Sequence, residues 1–316
     1  MSGLGASGFW DREIVEPTHV SWMANTAVRE YINTCISGAP SVWPMDWFER
    51  FLSGRVFKRG LSIGCGGGPL ERDLLRRNIC EHIDAFDGSP QSIAVAKDEA
   101  AKAGVALRVN YWVGDFNNPR LPSREYDIVF FHQSLHHVAK LEKLLRSVRR
   151  CLTRDGMIYL DEFVGPSRTD WNDQTIALQR SFFAMLQAEE SMVDALPLPI
   201  QPDDPSEAIR SGEIIKQLGV GFDTLEFREY GGILLSVLFP IICWAGNREP
   251  LVERLLAAEK ALRAGATQPF HAVIVAEPKR GLRGFLADTI YYCLPKLKRI
   301  RREIASRVPI AGAGGT

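Results

Sequence analysis

Short apolar runs alternate along the central part of this chain with segments whose apolar positions recur every three or four residues. The first pattern is typical of buried strands and the second of amphipathic helices. Strands that alternate with helices at this spacing build right-handed β-α-β units and a parallel sheet. The pattern therefore predicts a doubly wound, Rossmann-like α/β fold. Its strands are predicted to end before Gly64 and to span Glu81–Phe86, Val105–Val113, Tyr126–His132 and, after a turn at Asp155-Gly156, Met157–Phe163.

A glycine-rich turn follows the first predicted strand, with Gly64, Gly66, Gly67 and Gly68 in quick succession. A backbone that bends sharply and approaches a ligand closely has no room for a Cβ. Pro69 stands where the dinucleotide fingerprint G-x-G-x-x-G needs its third glycine, and no Gly-Lys-Ser/Thr follows, which excludes a P-loop. The turn therefore predicts a cofactor site that has no basic residue for a phosphate.

Two carboxylates follow the next two predicted strands. Asp87 comes after the second strand, at about the twenty-residue spacing expected of a ribose-binding acid, and Asp115 comes after the third. Ligands of open α/β sheets bind beyond the carboxyl ends of the strands, so Gly64, both carboxylates and the segment His132–His137 are expected at one edge. Ordinary turn and helix-capping chemistry remains the alternative for both carboxylates.

Four segments resemble the class I S-adenosylmethionine-dependent methyltransferases. They are LSIGCGGG at Leu61–Gly68, AFDGSPQSI at Ala85–Ile93, VGDF at Val113–Phe116 and YDIVFFHQSLHHV at Tyr126–Val138. The resemblance covers about Arg55 to Gly165. It implies a mostly parallel, seven-stranded sheet with an antiparallel final strand, whose last two strands we place at Thr224–Tyr230 and His271–Glu277, after a helix at Ser206–Leu218.

The resemblance also implies S-adenosylmethionine as the cofactor. In such a site the glycine turn passes under the methionine part, Asp87 holds the ribose hydroxyls, and Asp115 with Phe116 frames the adenine. The cofactor-binding residues predicted in this way are Ile63, Gly64, Cys65, Gly66, Gly68, Asp87, Gly88, Ser89, Gly114, Asp115, Phe116 and His132. The family often has a carboxylate two residues before the first glycine, and Ser62 stands there in this chain. The acid that usually binds the cofactor's amino group through a water molecule is therefore absent from this position.

Candidate catalytic residues follow the fourth and fifth predicted strands. An alcohol acceptor must lose a proton, and a base whose pKa lies near the working pH assists that loss. His136 and His137 have the suitable side chain, Glu162 is the third candidate, and we expect His136 to be the base. A histidine that is merely hydrogen-bonded near the site is the alternative. No metal site is predicted, because no glutamate follows His132 as the H-E-x-x-H pattern requires.

Composition narrows the function classes. The formal net charge is zero, so no general affinity for nucleic acid is indicated. The six cysteines include no C-x-x-C pair, which favours free thiols in a reducing compartment. Asp11, Arg12 and Glu13 interrupt the apolar run that a signal peptide would need. A cytoplasmic protein is therefore expected, with peripheral contact to the inner face of a membrane as an option.

The chain is expected to divide into four parts: an N-terminal helical cap at 1–54, the cofactor-binding core at 55–165, lid helices and final strands at 166–279, and a basic amphipathic tail at 280–316. The cap carries Trp10, Trp22, Trp43 and Trp47, which either line an acceptor pocket or anchor the cap. Within the third part, a loop at Gly165–Gln174 is followed by a helix to about Met192, and Leu196–Pro205 is a connector.

Two segments bear on membrane contact. Gly231–Gly246 is apolar throughout but shorter than the roughly twenty residues needed to span a bilayer, so we expect a buried helix. From Lys279 to Arg307 basic residues alternate with apolar ones, which is typical of a helix on an anionic lipid surface and also of a solvated tail.

These features together predict a methyltransferase that uses S-adenosylmethionine to methylate, by in-line displacement, an oxygen of a small-molecule or glycan acceptor. An NAD(P)-dependent oxidoreductase and a non-catalytic protein that binds S-adenosylmethionine are the alternatives.

Overall fold

The computed structural model describes residues 6–15, 22–187, 204–242, 248–264 and 269–305. The strands in these residues are β1 (Phe57–Ile63), β2 (Cys80–Asp87), β3 (Val109–Val113), β4 (Tyr126–His132), β5 (Leu152–Phe163), β6 (Phe222–Gly231) and β7 (His271–Pro278). They form one sheet in the order β3-β2-β1-β4-β5-β7-β6, and β7 is antiparallel to both of its neighbours. The remaining pairs are parallel. This confirms the predicted mostly parallel sheet with an antiparallel final strand.

Helices lie before the sheet, between its strands and after it. They are α1 (Ala6–Glu13), α2 (Thr26–Ser37), α3 (Pro44–Leu52), α4 (Pro69–Arg76), α5 (Pro90–Lys102), α6 (Leu141–Cys151), α7 (Asp173–Gln187), α8 (Ile214–Gly221), α9 (Leu235–Ile242), α10 (Arg248–Ala264) and α11 (Gly281–Ala305). The first three helices match the predicted N-terminal helical cap, and α7 to α10 match the predicted helical insertions.

The order of the strands places the site. The chain moves outward from β1 to β2 and β3, and then returns to place β4 on the other side of β1. Such a reversal leaves a crevice beyond the carboxyl ends of the strands, which is where ligands of this architecture bind. The glycine turn lies at this point, because it follows β1 directly.

Side chains of β4 show how the sheet separates two layers of core. Ile128 and Phe130 pack into one buried cluster, and Val129 and Phe131 pack into the other. This alternation follows from the two-residue period of a strand. The predicted apolar stripe of α6 covers the second side, where Leu141, Leu144, Leu145 and Val148 are fully buried.

The third strand is shorter than predicted. A 3-10 turn at Ala106–Arg108 replaces the first half of the expected strand Val105–Val113. Leu107 is 98% exposed, so the apolar alternation there does not bury its side chains. Arg108 donates from its guanidinium to the carbonyls of Leu75, Cys80 and Glu81. Those side-chain bonds favour the turn over the sheet ladder.

Two other boundaries also differ from the prediction. The fifth strand begins at Leu152, because the expected turn at Asp155-Gly156 is a bulge within the strand. Tyr126 of β4 pairs with Leu152 of β5, and the next pair along the two strands is Ile128 with Met157. The helix expected at Ser206–Leu218 is instead a 3-10 turn at Ser211–Glu213 followed by α8.

The apolar segment Gly231–Gly246 contains α9, whose core-facing side chains are buried as predicted. The carboxylate of Glu259 on α10 accepts hydrogen bonds from the backbone N–H groups at Gly232, Ile233, Leu234 and Leu235. A buried acid thus satisfies the orphan donors at the start of this helix. Residues 243–246 lie outside the described part of the chain.

Some other predicted features fall partly outside the described residues. The helix expected to reach Met192 is described to Gln187, and the connector Leu196–Pro205 is described only from Asp204. The described cysteines Cys35, Cys65, Cys80, Cys151 and Cys293 are free thiols, as expected. Within the described ranges, no helix has the length and hydropathy that a membrane span requires.

Candidate active site

A cavity of about 720 Å³ lies at the carboxyl edge of the sheet, where β1, β2, β3 and β4 end. One part is lined by the glycine turn, by the residues after β2 and by those after β3, and the other by α1 and the residues after β4. Of the predicted cofactor-binding residues, the cavity lining includes Gly64, Cys65, Gly66, Asp87, Gly88, Ser89, Gly114, Asp115, Phe116 and His132. Ile63 and Gly68 lie outside the lining, as do His136 and Glu162, whereas His137 is part of it.

The glycine turn needs glycine for two physical reasons. Gly64 has φ +79°, and a Cβ there would lie 2.3 Å from the Ser134 side chain. Gly68 has φ +74°, and a Cβ there would lie 2.5 Å from the Tyr111 hydroxyl oxygen. Both conformations are left-handed and both approaches are too close for any larger residue. At these two positions glycine therefore makes room for neighbouring side chains of the protein itself.

Asp87 joins the glycine turn to the start of α5. Its Oδ2 accepts a hydrogen bond from the Gly66 N–H at 2.9 Å, and its Oδ1 accepts one from the Ser89 N–H at 2.9 Å. Burial raises the pKa of Asp87 above its usual value, and these backbone donors offset part of the rise. The carboxylate of Asp87 thus stabilises the two turns by accepting backbone hydrogen bonds, and it also borders the cavity. Its contact with a ribose stays a prediction.

Asp115 and Phe116 lie at the end of the cavity after β3. Asp115 is exposed, and its Oδ1 accepts a hydrogen bond from the Asn117 N–H at 2.8 Å. The Phe116 ring packs against Phe86, with ring centroids 5.7 Å apart, and Phe86 stacks on Trp112. This aromatic group provides a flat apolar surface beside a carboxylate, which suits a purine ring.

Helix α1 covers the cavity through three polar contacts. Asp11 accepts hydrogen bonds from the Ser89 hydroxyl at 2.6 Å and from the Gln91 N–H at 3.0 Å. Trp10 donates its indole N–H to Asp204 at 2.9 Å and lines the cavity. Of the predicted tryptophans this one faces the site.

The other three tryptophans lie elsewhere in the described residues. Trp22 packs edge-on against His271, Trp47 packs against the core, and Trp43 is 44% exposed.

Glu71 is a cavity residue that sequence reasoning missed. It occupies the first turn of α4, is fully buried and lines the cavity together with Ser62. Neither carboxylate oxygen accepts a hydrogen bond of ordinary geometry within the described residues. Burial raises the pKa of Glu71 to about 7, and the neighbouring Ser62 hydroxyl offsets only part of this rise. The sequence did contain a signal for Glu71: the acid usual before the glycine turn is absent at Ser62, and Glu71 follows the turn closely.

His136 and Glu162 form a buried pair behind the cavity. Nδ1 of His136 is hydrogen-bonded to Oε1 of Glu162, whose other oxygen accepts from the backbone N–H groups of Ser134 and Leu135. Burial alone would lower the pKa of His136, but the carboxylates of Glu162 and Glu207 outweigh it and raise the pKa to about 10. Burial likewise would raise the pKa of Glu162, but the His136 charge and its donors lower it. The pair is therefore ionised at neutral pH.

His137 has the opposite character. Burial and the adjacent His136 charge lower the pKa of His137 to about 4, so its imidazole is neutral at physiological pH. Its Nδ1 lies 3.1 Å from the Ser206 hydroxyl, and that hydroxyl donates to Asp204 at 2.7 Å. Because the serine has one proton and gives it to Asp204, Nδ1 of His137 carries the imidazole proton. Nε2 is left as a proton acceptor.

Within the described residues, one group of side chains can hold a metal ion. Ligand atoms of His136, His137 and Glu207 lie within 4.8 Å of one another. His136 lies between the carboxylates of Glu162 and Glu207, which engage its two ring nitrogens. The sequence predicted no metal, and that stays a prediction.

Comparison with known proteins finds a methyltransferase domain in the centre of the chain. Residues 61–160 match the family model described as a methyltransferase domain. The chain is 28% identical over 116 residues to a ubiquinone biosynthesis O-methyltransferase of Aeromonas salmonicida, which covers 37% of this chain and 48% of that relative. It is 23% identical over 209 residues to the protein of that name from a Methylobacterium species, covering 63% and 72% of the two chains.

Two further similarities are with more varied proteins. The chain is 30% identical over 111 residues to 27-O-demethylrifamycin SV methyltransferase of Amycolatopsis mediterranei, covering 35% of this chain and 40% of that one. The solved structure of the [4+2]-cyclase SpnF has a TM-score of 0.49 and 17% identity, and covers 88% of this chain and 98% of its own. The chain spans about half the length of the first of the curated relatives named above.

The cavity fits the cofactor of this family on its own chemistry. A sulfonium is positively charged, and the lining contains carboxylates at Glu71, Asp87 and Asp115, while no lysine or arginine is part of it in the described residues. A Cβ at Gly66, which lines the cavity, would meet no protein atom within 4 Å and would take up open space. The methyltransferase domain matched by residues 61–160, the seven-stranded sheet and this cavity all agree with a class I S-adenosylmethionine-dependent methyltransferase.

Proposed function

We propose that this protein transfers a methyl group from S-adenosylmethionine to a hydroxyl oxygen of a small-molecule or glycan acceptor. One observation carries the proposal. The cavity that contains the glycine turn and Asp87 continues to His137, whose neutral imidazole can accept a proton. A cofactor seat and a base in one cavity are what methylation of an alcohol requires.

Positioning supplies most of the rate enhancement in this account. The bound cofactor provides a methyl group on a sulfonium, which is already activated for in-line displacement. The glycine turn, Asp87 and the Phe116 ring orient one reactant, and α1 excludes water from above through Trp10 and Asp11. Holding two reactants at near-attack distance contributes roughly 7–11 kcal/mol.

His137 is the base in this proposal, in place of His136. Nε2 of His137 accepts the hydroxyl proton, because Nδ1 is already occupied through Ser206 and Asp204. His136 is buried outside the cavity lining and is protonated against Glu162. The pair acts as a positioning group, since Glu162 fixes the backbone N–H groups of Ser134 and Leu135 just before the histidines.

Oxygen as the methyl acceptor is supported by the names of the relatives. Ubiquinone biosynthesis O-methyltransferases and 27-O-demethylrifamycin SV methyltransferase are named for oxygen methylation. Their names also favour a small-molecule acceptor over a glycan.

A transfer assay tests the proposal. The purified protein is incubated with methyl-labelled S-adenosylmethionine and fractionated cell extract, and label is measured in lipid, polysaccharide, protein and small metabolites. We expect label in a small-molecule or glycan fraction, on an oxygen identified by mass spectrometry and NMR of the product. Label on nitrogen or carbon contradicts the assignment to oxygen. Binding of the cofactor without transfer to any fraction supports the non-catalytic alternative, and a bound nicotinamide supports the oxidoreductase.

A further inference from the structure

Ser62 and Glu71 both lie beside the glycine turn, and only Glu71 is an acid. We propose that Glu71, from α4, holds the amino group of the cofactor's methionine part and so replaces the carboxylate that is absent at Ser62. The inference rests on the family's cofactor and is independent of the methyl acceptor and of the base.

The position of Glu71 in its helix supports this role. Gly68 is the N-cap of α4, Pro69 is the first helical residue and Glu71 is the third. Helical side chains lean toward the N-terminus, so this carboxylate extends back over the glycine turn, where the cavity lies. A carboxylate in the first turn is also favoured by the helix dipole.

The usual structural role of such a glutamate is not filled here. A glutamate at the third helical position often accepts a hydrogen bond from the N-cap N–H. The Gly68 N–H instead donates to the Cys65 carbonyl at 2.9 Å. The adjacent Arg72 donates to the Gly67 carbonyl at 2.6 Å, and the described residues contain no ion pair between Arg72 and Glu71. Apart from the nearby Ser62 hydroxyl, which makes no hydrogen bond of ordinary geometry with it, the carboxylate is therefore left for another donor.

Burial makes an unpartnered carboxylate costly. Both oxygens of Glu71 are buried without a hydrogen-bond partner in the described residues, and so is the hydroxyl oxygen of Tyr111. A buried polar group without a hydrogen-bond partner destabilises the folded protein, and a ligand that hydrogen-bonds to it removes this cost. An ammonium offers three donors and a positive charge, which match a carboxylate with two free oxygens.

Cofactor binding should then release a proton. Burial raises the pKa of Glu71 to about 7, so the free protein carries a partly protonated acid near neutral pH. The titratable and charged groups around it are Cys65, Tyr111, His132 and Arg72. A bound ammonium favours the ionised form. Affinity for the cofactor product is therefore expected to rise from about pH 6 to about pH 8, with proton release in calorimetry in buffers of different ionisation enthalpy.

Two ligands separate this role from general effects on the site. S-Adenosylhomocysteine carries the amino acid part, and 5′-methylthioadenosine lacks it. We expect Glu71→Gln to weaken binding of the first ligand about tenfold or more, and of the second by no more than about twofold. Asp87→Asn should weaken both ligands. The exposed acid Glu81 lies outside the cavity lining, so Glu81→Gln is the matched control and should change neither.

A rescue variant keeps the test sharp. Ser62→Asp combined with Glu71→Gln should recover S-adenosylhomocysteine affinity, because it returns an acid to the family's usual position. Equal weakening of both ligands by Glu71→Gln, or no weakening of either, overturns the proposal. Wild-type protein that binds neither ligand overturns the cofactor site as a whole, whereas binding without methyl transfer leaves Glu71 supported and removes only the proposed activity.

A separate observation concerns α11. Large apolar side chains are exposed at Leu282 (74%), Phe285 (68%), Leu286 (49%), Ile290 (42%), Tyr292 (51%) and Leu297 (61%). Most of these positions are spaced three or four residues apart, so they share one face of the helix. So many exposed large apolar side chains on one side of a helix are unusual for a surface in contact with water alone.

The opposite face of α11 is firmly attached to the protein. Ala287 and Tyr291 are buried, and the Tyr291 hydroxyl donates to the Gln217 carbonyl at 2.5 Å. Arg149 of α6 donates to the Gly284 carbonyl at 2.8 Å and pairs with Asp288 at 3.0 Å. Rotation of the helix to bury its exposed side chains would break these contacts. The apolar face is therefore presented outward.

Charge indicates what covers this face. Basic residues dominate the segment, with Lys279, Arg280, Arg283, Lys296, Lys298, Arg299, Arg301, Arg302 and Arg307 against Asp288 and Glu303. We propose that the exposed face of α11 docks on an anionic lipid surface, with its apolar side chains in the acyl boundary and the net positive charge of the segment attracting it to the headgroups.

Vesicle sedimentation tests this docking. Full-length protein should sediment with vesicles that contain phosphatidylglycerol and much less with phosphatidylcholine alone. The triple variant Leu282→Ser, Phe285→Ser and Leu286→Ser should lose sedimentation. Leu107→Ser is the matched control, because Leu107 is 98% exposed and lies far along the chain from α11. Wild-type protein that stays in the supernatant overturns the proposal, and so does a wild-type dimer in solution that the triple variant dissociates.

Discussion

The indole of Trp10 donates a hydrogen bond to Asp204 across 194 positions of the chain, at 2.9 Å. This contact joins α1 to the segment that orients His137, because Asp204 also accepts from the Ser206 N–H and hydroxyl. The cover of the cavity and the proposed base are therefore held by one carboxylate.

Trp10→Phe tests that link. Loss of one hydrogen bond of about 1 kcal/mol should weaken S-adenosylhomocysteine binding about fivefold and increase hydrogen exchange in residues 6–15. Trp43→Phe is the control, because Trp43 is 44% exposed and not part of the cavity lining. Equal affinity for the two variants contradicts a covering role for α1.

His137→Asn tests the base. We expect turnover to fall by about 10–10², at or below the low end of general base catalysis because a pKa of about 4 makes a weak base at neutral pH, with little change in cofactor affinity. His82→Asn is a matched substitution on the exposed part of β2 and should leave turnover unchanged. Turnover that stays within about twofold in His137→Asn removes this residue from the role.

The buried pair of His136 and Glu162 should make the free energy of unfolding depend on pH. The pKa of His136 is raised to about 10, above its unfolded value, so its contribution to the free energy of unfolding is full below about pH 6.5 and is lost as pH rises through about 10. Glu162→Gln removes one partner of a buried pair and should cost about 3–5 kcal/mol at pH 6. Urea unfolding of the wild type and Glu162→Gln at pH 6 and pH 10 measures this difference in the free energy of unfolding. A difference that is equal at the two pH values contradicts an ionised pair.

Metal removal tests the remaining candidate in the site. We expect chelator-treated protein to retain its full rate of methyl transfer and to contain no stoichiometric metal by elemental analysis. The ion pairs of His136 with Glu162 and Glu207 are the reason, since they engage both ring nitrogens of one of the three candidate ligands, His136, His137 and Glu207. Activity that disappears with chelator and returns with zinc would reverse this expectation.

The features that could be predicted from the sequence are those that depend on the local pattern of residues. Short apolar runs located four of the strands, the family resemblance located the last two, and the glycine turn with Asp87 and Asp115 located the edge of the sheet where the cavity lies. The third strand failed in its first half because the side chain of Arg108 binds nearby carbonyls, which no periodicity shows.

The parts of the site that were missed depend on tertiary contacts. Asp204, Ser206 and Glu207 reach the histidines from about seventy positions later in the chain, where the pattern indicated a connector and the start of a helix. Glu71 is the exception, because it is close in sequence to the glycine turn, and only its burial without a partner distinguishes it from a capping residue. The expected domain boundaries and the lid remain predictions.

A crystal structure with S-adenosylhomocysteine is the sharpest test of the proposed cofactor site. We expect the nucleoside to lie between Asp87 and Phe116, with the amino acid part over the glycine turn beside Glu71 and the sulfur facing His137. A nucleoside bound elsewhere, or a cavity that stays empty at saturating ligand, would contradict it.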